Sequence, residues 1–428
     1  MREVDIIEKK KRGEELNEEE LLKILSAPDY QLASFLMAVY FKGMSENETF
    51  LLTDIMRKSG DQFSWDEIPG IKVDKHSSGG VGDKLTLIVL PMAAALGVPI
   101  VKMSGRGLGF TGGTIDKLES IPGFRVDLSR EEILDQVKRI GLALVSQSGN
   151  LTPLDKKLYA LRDVTSTVDS LPLIAASVMS KKLAFGADAF VLDVKCGSGA
   201  FMKNEYEAKK LAELMCKIGN KFGKKTTAFI TRMEEPLGRA VGNSLEIKEV
   251  LEFLSPDFKK PRDLYDLSIC TAGEMAIAAG LFKDVVSAGM ACKEVLGNGK
   301  ALSKFKEFIS AQGGDLEKLP EAICTVAISS DSTGFVSGVD ARLIGEAAMT
   351  LGAGRAKLGD KIDYSCGILL KRTFGDYVKE DDVIFLIHTE EYHDNKACEE
   401  AILIAKKAFS FGMTPPPKSG HLIALLQN

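Results

Sequence analysis

The sequence predicts an α/β protein in three parts: an all-helical N-terminal domain, a mainly parallel mixed α/β domain, and a small C-terminal α+β subdomain. Three observations predict it. Residues 1 to about 66 carry only helical spacing and helix-start signals. From about 70 to 330, strand-like runs alternate with helical ones. Beyond about 333, short alternating runs are separated by Gly-Asp turns.

In the first part, Asn17 precedes "EEELLKIL" with Glu20 three residues on, and Ser45 precedes "ENETFLLTDIM" with Glu48 three residues on. Both are capping boxes. Between them "DYQLASFLMAVYFKGM" has apolar residues at helical spacing and stops at Gly43. The texture changes at "WDEIPG", Trp65 to Gly70, a crossing between domains and the expected place of a hinge.

The longest uncharged run is "LTLIVLPMAAALGVPIV", Leu85 to Val101. As a helix it would reach about 25 Å, short of a bilayer core of about 30 Å, and Pro91, Gly97 and Pro99 break it. The expectation is a buried helix followed by a short strand, not a membrane span. Strand-like runs then follow: "VPIVKM", "FRVDL", "IGLALVSQ", "ADAFVLDVKCG" and "KTTAFITRM", with a helix opened by Ser129. One helical insert, "LPLIAASVMSKKLAFG", has Pro172 near its start and Gly186 just past its end. It is expected to pack with the N-terminal helices. The domain reading is therefore 1–66 completed by about 157–190, then 70–156 with 191–330, then 335–428.

The net charge of −5 is spread over mixed acidic and basic residues, so no basic stripe argues for nucleic acid. Seven cysteines show no metal or redox spacing, which reads as reduced thiols in cytoplasm. The N-terminus is too charged for a signal peptide.

Chemistry concentrates in three stretches. "KHSSGGVGDK", Lys75 to Lys84, combines glycines with lysines and serine hydroxyls, a donor set suited to an anion. "KMSGRGLGFTGGTIDKLES", Lys102 to Ser120, adds Ser104 and Thr114 around a second glycine-rich turn. Two such loops at the carboxyl ends of neighbouring parallel strands can close on one phosphate. The bland reading of each is a tight structural turn. Gly107, Gly109 and Gly112 match G-x-G-x-x-G with Asp127 downstream, but Pro122-Gly123 stops the following helix too early for a dinucleotide site. His76 stands beside the presumed anion; neutral, its ring could donate to a leaving group, and charged it could act as an acid. It could equally be a surface or backbone-bonding histidine. In the third stretch Ser177 and Lys181 are four apart on an apolar helix and share a face, with Arg162 upstream. These donors suit a planar group with two carbonyls. A solvated last-turn lysine is the plain alternative for Lys181.

"KHSSGGVGDK", "SGRGLGFTGGTIDKLESIPGF", "DKKLYALRDVTSTVDSLPLIAASVMSKKLA" and "LDVKCGSGAFMK" closely resemble the thymidine/pyrimidine-nucleoside phosphorylase family, over essentially the whole chain. The length is similar to that of the bacterial members. The resemblance implies phosphorolysis of a pyrimidine nucleoside to free base and a pentose 1-phosphate, with inorganic phosphate as co-substrate and no organic cofactor. It puts phosphate on Lys75, Ser77, Ser104 and Thr114, with Thr86 as a further contact and Lys102 and Met103 bordering the loop. It gives the base to Arg162, Ser177 and Lys181, with His76 near the 2-carbonyl. It implies a monovalent cation, K+, at Gly82, Lys84, Leu237, Ala240 and Glu249, and a homodimer through the helical domain. Three positions depart from the family pattern: Phe110 replaces a histidine, Lys84 replaces a threonine where its ammonium could stand in for the cation, and Cys196 replaces valine or threonine.

The chemistry expected of such a site is electrostatic. Bond breaking leaves positive charge on the sugar carbon and negative charge on the base, which Arg162, Lys181 and His76 would stabilise. Two rivals follow from resemblance alone. An anthranilate-type phosphoribosyltransferase shares the helical-plus-α/β layout. A carrier would fit a C-terminal domain that resembles biotinyl/lipoyl barrels and is thus barrel-sandwich-like, but no Met-Lys modification hairpin is present. The preferred nucleoside among uridine, thymidine and deoxyuridine is not written in these residues.

Overall fold

Four helices open the chain: α1 (Glu3–Lys11), α2 (Glu18–Leu25), α3 (Asp29–Lys42) and α4 (Glu46–Lys58). The structure, a computed structural model, describes residues 1–427 apart from 108, 148, 358, 391–395, 418 and 419. Both expected capping boxes form. The Glu20 and Glu48 N–H groups donate to the Asn17 and Ser45 side chains at 3.0 and 3.1 Å, and each glutamate accepts in return from the cap N–H. Glu48 also receives the buried Lys10 ammonium at 2.7 Å, so one carboxylate caps α4 and ties down α1. Gly43, at φ +71°, ends α3.

The α/β part then runs β1 (Val73–Ser77), α5 (Leu85–Ala95), β2 (Ile100–Ser104), α6 (Thr114–Glu119), α7 (Arg130–Ile140), β3 (Leu142–Ser146), α8 (Pro153–Val164), α9 (Leu171–Phe185), β4 (Ala189–Cys196), α10 (Glu205–Lys221), β5 (Lys225–Arg232), β6 (Ala240–Val241), α11 (Asn243–Leu254), α12 (Arg262–Ala278), α13 (Val285–Gly297) and α14 (Lys300–Ala311). The remainder is β7 (Cys324–Ser329), β8 (Gly334–Val339), α15 (Ala341–Thr350), β9 (Gly367–Leu370), β10 (Tyr377–Val378), β11 (Val383–Thr389), α16 (Lys396–Ala408), β12 (Phe409–Gly412) and β13 (Leu422–Gln427).

The central sheet has order β1-β4-β5-β13, with β1, β4 and β5 parallel. A parallel pair, β2-β3, lies beside β1, linked where the Val73 N–H donates to the Pro99 carbonyl at 3.2 Å. One face of the central sheet packs α5, α12 and α14 around Val73, Val191 and Phe229; the other packs α9 and α10 around Phe190, Leu192 and Ile230. Helix α9 serves both neighbours. Leu173 and Ala176 enter the core of the N-terminal helices, while Ala175, Met179 and Leu183 face the sheet. A helix apolar all round is one buried on both sides.

Four sequence readings need correction. Pro91 does not break α5: the helix runs through it to Ala95 and closes at Leu96, before Gly97 at φ +97°. "FRVDL" is not a strand. Its backbone takes partners singly, with the Arg125 N–H on the Gln312 carbonyl at 2.7 Å and the Val126 carbonyl under the Ser146 N–H at 2.8 Å. The boundary expected at 330–335 cuts one sheet, because β7 pairs antiparallel with β11. The chain end also leaves the C-terminal subdomain: β13 pairs antiparallel with β5 as an edge of the central sheet.

The candidate active site

Strand alternation on β1 explains why its residues divide into two groups. Val73, Lys75 and Ser77 point to the α5 side; Asp74 and His76 point to the α9 side.

On the α5 side, Lys75 is fully buried, with Nζ 3.3 Å from Thr86 Oγ1 and 3.3 Å from Asp193 Oδ2. Thr86 lies in the first turn of α5. Register pairs Ser77 with Asp193, so Asp193 and Lys195 of β4 share this face. Lys195 Nζ lies 2.8 Å from Asp193, whose other oxygen accepts from Thr231 Oγ1 at 2.6 Å. The Ser77 hydroxyl donates to Asp83 Oδ2 at 2.5 Å. Burial alone would push the Asp83 carboxyl up; the charges of Lys195 and Lys75 and the Ser77 hydroxyl outweigh it and hold it below the usual carboxylate range. Lys75 and Lys195 are thus balanced by Asp193 and Asp83 at the carboxyl ends of β1 and β4, where ligands collect in open α/β sheets.

The second glycine loop leaves β2 at Ser104 and enters α6 at Thr114, both half-buried. Lys102 turns away from it. Its ammonium bonds the Lys75 carbonyl, approaches Asp74 at 3.3 Å and the Met103 carbonyl at 3.5 Å, and so fills the gap between β1 and β2. Burial and the charges of Lys182 and Lys75, against the pull of Asp74, push it down to about 7. The ammonium therefore lies beneath the loop that Lys102 borders. Met103 contributes its carbonyl to Lys182 Nζ at 2.9 Å.

On the α9 side, Lys182 bonds Asp74 Oδ2 at 2.7 Å. Lys181 points the other way: its Nζ meets Asp155 Oδ2 at 2.7 Å and Ser177 Oγ at 3.3 Å. Asp155 is buried on α8, and no other described donor reaches either of its oxygens. Arg162, on the same helix, is buried with its guanidinium on the carbonyls of Thr167, Val168 and Leu173. Three of its five N–H bonds are used, which fixes the fork and leaves two donors. His76 lies partly exposed on the α9 side of β1. Burial and the surrounding Lys182, Lys102, Lys75 and Lys181 hold its imidazole well below 6.5, so it is a neutral donor and acceptor rather than an acid.

The cation positions are filled by the chain itself. Lys84 is fully buried, and its ammonium bonds the Leu237 carbonyl at 2.7 Å, the Ala240 carbonyl at 2.9 Å and Glu249 Oε2 at 2.6 Å. A Cβ on Gly82 would meet the same two carbonyls at 2.9 and 3.2 Å. A K+ ion does not fit alongside that ammonium. Phe110 packs against the C-terminal subdomain, with Lys203 and Arg342 within 6.0 and 5.9 Å of its ring. Cys196 is buried, and burial pushes its thiol up to about 11, so it stays protonated.

Sequence reading missed Asp155, Asp193 and Lys195. The last two were within sight: Asp and Lys two apart on a strand share a face. Asp155 carries no local signal, since its partner lies on another helix.

Comparison with known proteins places this architecture, a helical bundle beside strands β1 and β2 that end in two glycine loops. Residues 4–60 match the helical bundle domain and 70–302 the a/b domain of a glycosyl transferase family, and 335–408 match the pyrimidine nucleoside phosphorylase C-terminal domain. The chain is 48% identical over 423 residues to the pyrimidine-nucleoside phosphorylase of Staphylococcus haemolyticus, covering 95% of this chain and 97% of that one. It is 49% identical over 400 residues to that of Bacillus subtilis, covering 91% and 92%. The chain belongs to the pyrimidine-nucleoside phosphorylase family of pentosyltransferases. The anthranilate phosphoribosyltransferase of Thermus thermophilus superposes with a TM-score of 0.57 at 19% identity, covering 72% of this chain and 99% of that one, which is a likeness of fold alone. Among the described residues no helix is long and apolar enough to cross a membrane.

Proposed function

We propose that this chain cleaves pyrimidine nucleosides with inorganic phosphate, releasing the free base and (deoxy)ribose 1-phosphate for nucleoside salvage in the cytoplasm. The observation that carries this reading is the division of β1. Lys75 reaches Thr86 and Ser77 reaches Asp83 on the α5 side, and His76 lies on the opposite face, the side of α9, which carries Ser177 and Lys181. One strand thereby borders both an anion site and a donor cluster for a planar base.

Phosphate is the nucleophile, held by Lys75, Ser77, Thr86, Ser104 and Thr114. The base takes donors from Arg162, Ser177 and Lys181. As the glycosidic bond lengthens, negative charge grows on the ring, and Lys181 and Arg162 stabilise it while neutral His76 donates to a carbonyl. These groups are already fixed by Asp155 and by backbone carbonyls, so little reorganisation accompanies the reaction. Lys84 supplies the positive charge that K+ would bring, so the enzyme works without a monovalent cation. A homodimer through the helical domain fits the exposed Tyr30 and Phe41 of α3; sedimentation of the full chain tests it.

The test of the reaction is product identity. Incubation with uridine, thymidine or deoxyuridine and phosphate should yield a new sugar-phosphate resonance in 31P NMR, matched by free base. Free pentose with no new phosphorus signal would make the enzyme a hydrolase and overturn the reading.

A further inference from the structure

The second glycine loop is held by a residue nearly 250 positions downstream. Arg355 follows α15 in the C-terminal subdomain. Its Nη1 donates to Asp116 Oδ1 at 2.7 Å, and it reaches the Gly107 carbonyl at 3.4 Å. The other Asp116 oxygen accepts the Gly107 N–H at 2.6 Å. The Arg355 carbonyl accepts the Gly109 N–H at 2.9 Å. Asp116 side-chain exposure is only 2% and that of Arg355 14%, so the pair is shielded from solvent. Asp116 lies in α6, two residues after Thr114. Arg355 therefore grips the rise of the loop through Gly107 and Gly109 and its descent through Asp116. The grip is itself anchored, because Asn243 of α11 donates to the Ala353 carbonyl at 2.9 Å. Glycines leave a loop free to adopt many conformations, so its shape has to be imposed from outside.

We propose that Arg355 is a positioning residue for phosphate: the C-terminal subdomain sets the anion affinity of a site to which it gives no ligand. This rests on the phosphorolysis reading. Losing the guanidinium frees the Gly107 carbonyl and leaves Asp116 a buried carboxylate held by the Gly107 N–H, while the Gly109 contact, made through the backbone of residue 355, stays. Thr114 then no longer meets Ser104 across a fixed gap. Nucleoside contacts, which lie on α8 and α9, are untouched.

The experiment is steady-state kinetics of the full chain with phosphate and nucleoside varied separately. Phosphate dependence in the wild type is established first; without it the functional reading fails and the question of Arg355 does not arise. Given that dependence, Arg355→Ala should raise KM for phosphate about tenfold or more and leave KM for nucleoside within about twofold. Guanidinium ion in the assay should recover part of the loss, and Arg355→Lys should fall between. Circular dichroism and melting verify that each variant is folded. An unchanged phosphate KM overturns the proposal. So does a parallel loss in both KM values that follows melting temperature and ignores guanidinium, since that would make Arg355 a fold residue only.

Discussion

Replacing Lys84 by Thr deletes an ammonium that three oxygens surround. The structure gives the size of the loss. Breaking a buried ion pair from one side costs about 3–5 kcal/mol. Glu249 keeps two other donors, the Arg239 and Ala240 N–H groups, both at 2.8 Å, so the low end applies. About 3 kcal/mol corresponds to a fall in Tm of roughly 6–12 °C for a domain of this size. The variant should then acquire a property the wild type lacks. Its vacated oxygens form a cage for a monovalent cation, and K+ at a hundred times its Kd would return about 2.7 kcal/mol. The assay is thermal melting of both proteins in KCl and in tetramethylammonium chloride at equal ionic strength. Lys84→Thr should melt lower in tetramethylammonium and recover in K+, while the wild type melts alike in both. A wild type that gains from K+ as much as the variant, or a variant that melts no lower, would refute the idea that Lys84 is the built-in cation.

Three further outcomes are expected. Lys181→Ala removes a charged hydrogen bond of about 1.5–3 kcal/mol, so kcat/KM for nucleoside should fall roughly tenfold to a hundredfold while KM for phosphate holds, as initial rates will report. His76 is held below 6.5, so as pH falls through that value the unfolded chain takes up a proton that the folded chain refuses; stability should fall with falling pH there, and His76→Gln should flatten that slope in melts across the window. Phosphate together with a non-cleavable nucleoside analogue should compact the protein in solution scattering, because the proposed phosphate site lies on the loops after β1 and β2 and the proposed base site on α8 and α9, which border the N-terminal helices. Trp65 should report the same step, since its indole N–H donates to the Phe185 carbonyl at 2.6 Å at the end of α9, the helix that carries Lys181.

That contact also shows where sequence reading succeeds and where it stops. Trp65 was legible as a crossing between domains, but not as a buried residue stacked on Phe63 and covered by Arg130. Local signals were read well because their physics is local: Asn17 with Glu20, Ser45 with Glu48, and Gly186 in the left-handed conformation behind α9. The two glycine loops were legible as loops at strand ends, and the structure places them after β1 and β2. The resemblance had already grouped Lys84 with Leu237, Ala240 and Glu249, and the structure places those three residues around its ammonium. Asp155 and Arg355 were illegible, since each acts on a residue brought near by tertiary packing. "FRVDL" had strand composition and no ladder partner, and β13 gained one from a sheet almost two hundred residues upstream. Strand pairing is decided by neighbours as much as by residues.

The central claim is that phosphate is the nucleophile, and its most direct test is the rate of base release as phosphate is titrated from zero with nucleoside saturating. The account predicts a hyperbola through the origin, reproduced by arsenate, because it assigns Lys75, Ser77, Thr86, Ser104 and Thr114 to an anion rather than to water. A curve that starts from a rate equal to its plateau would contradict it.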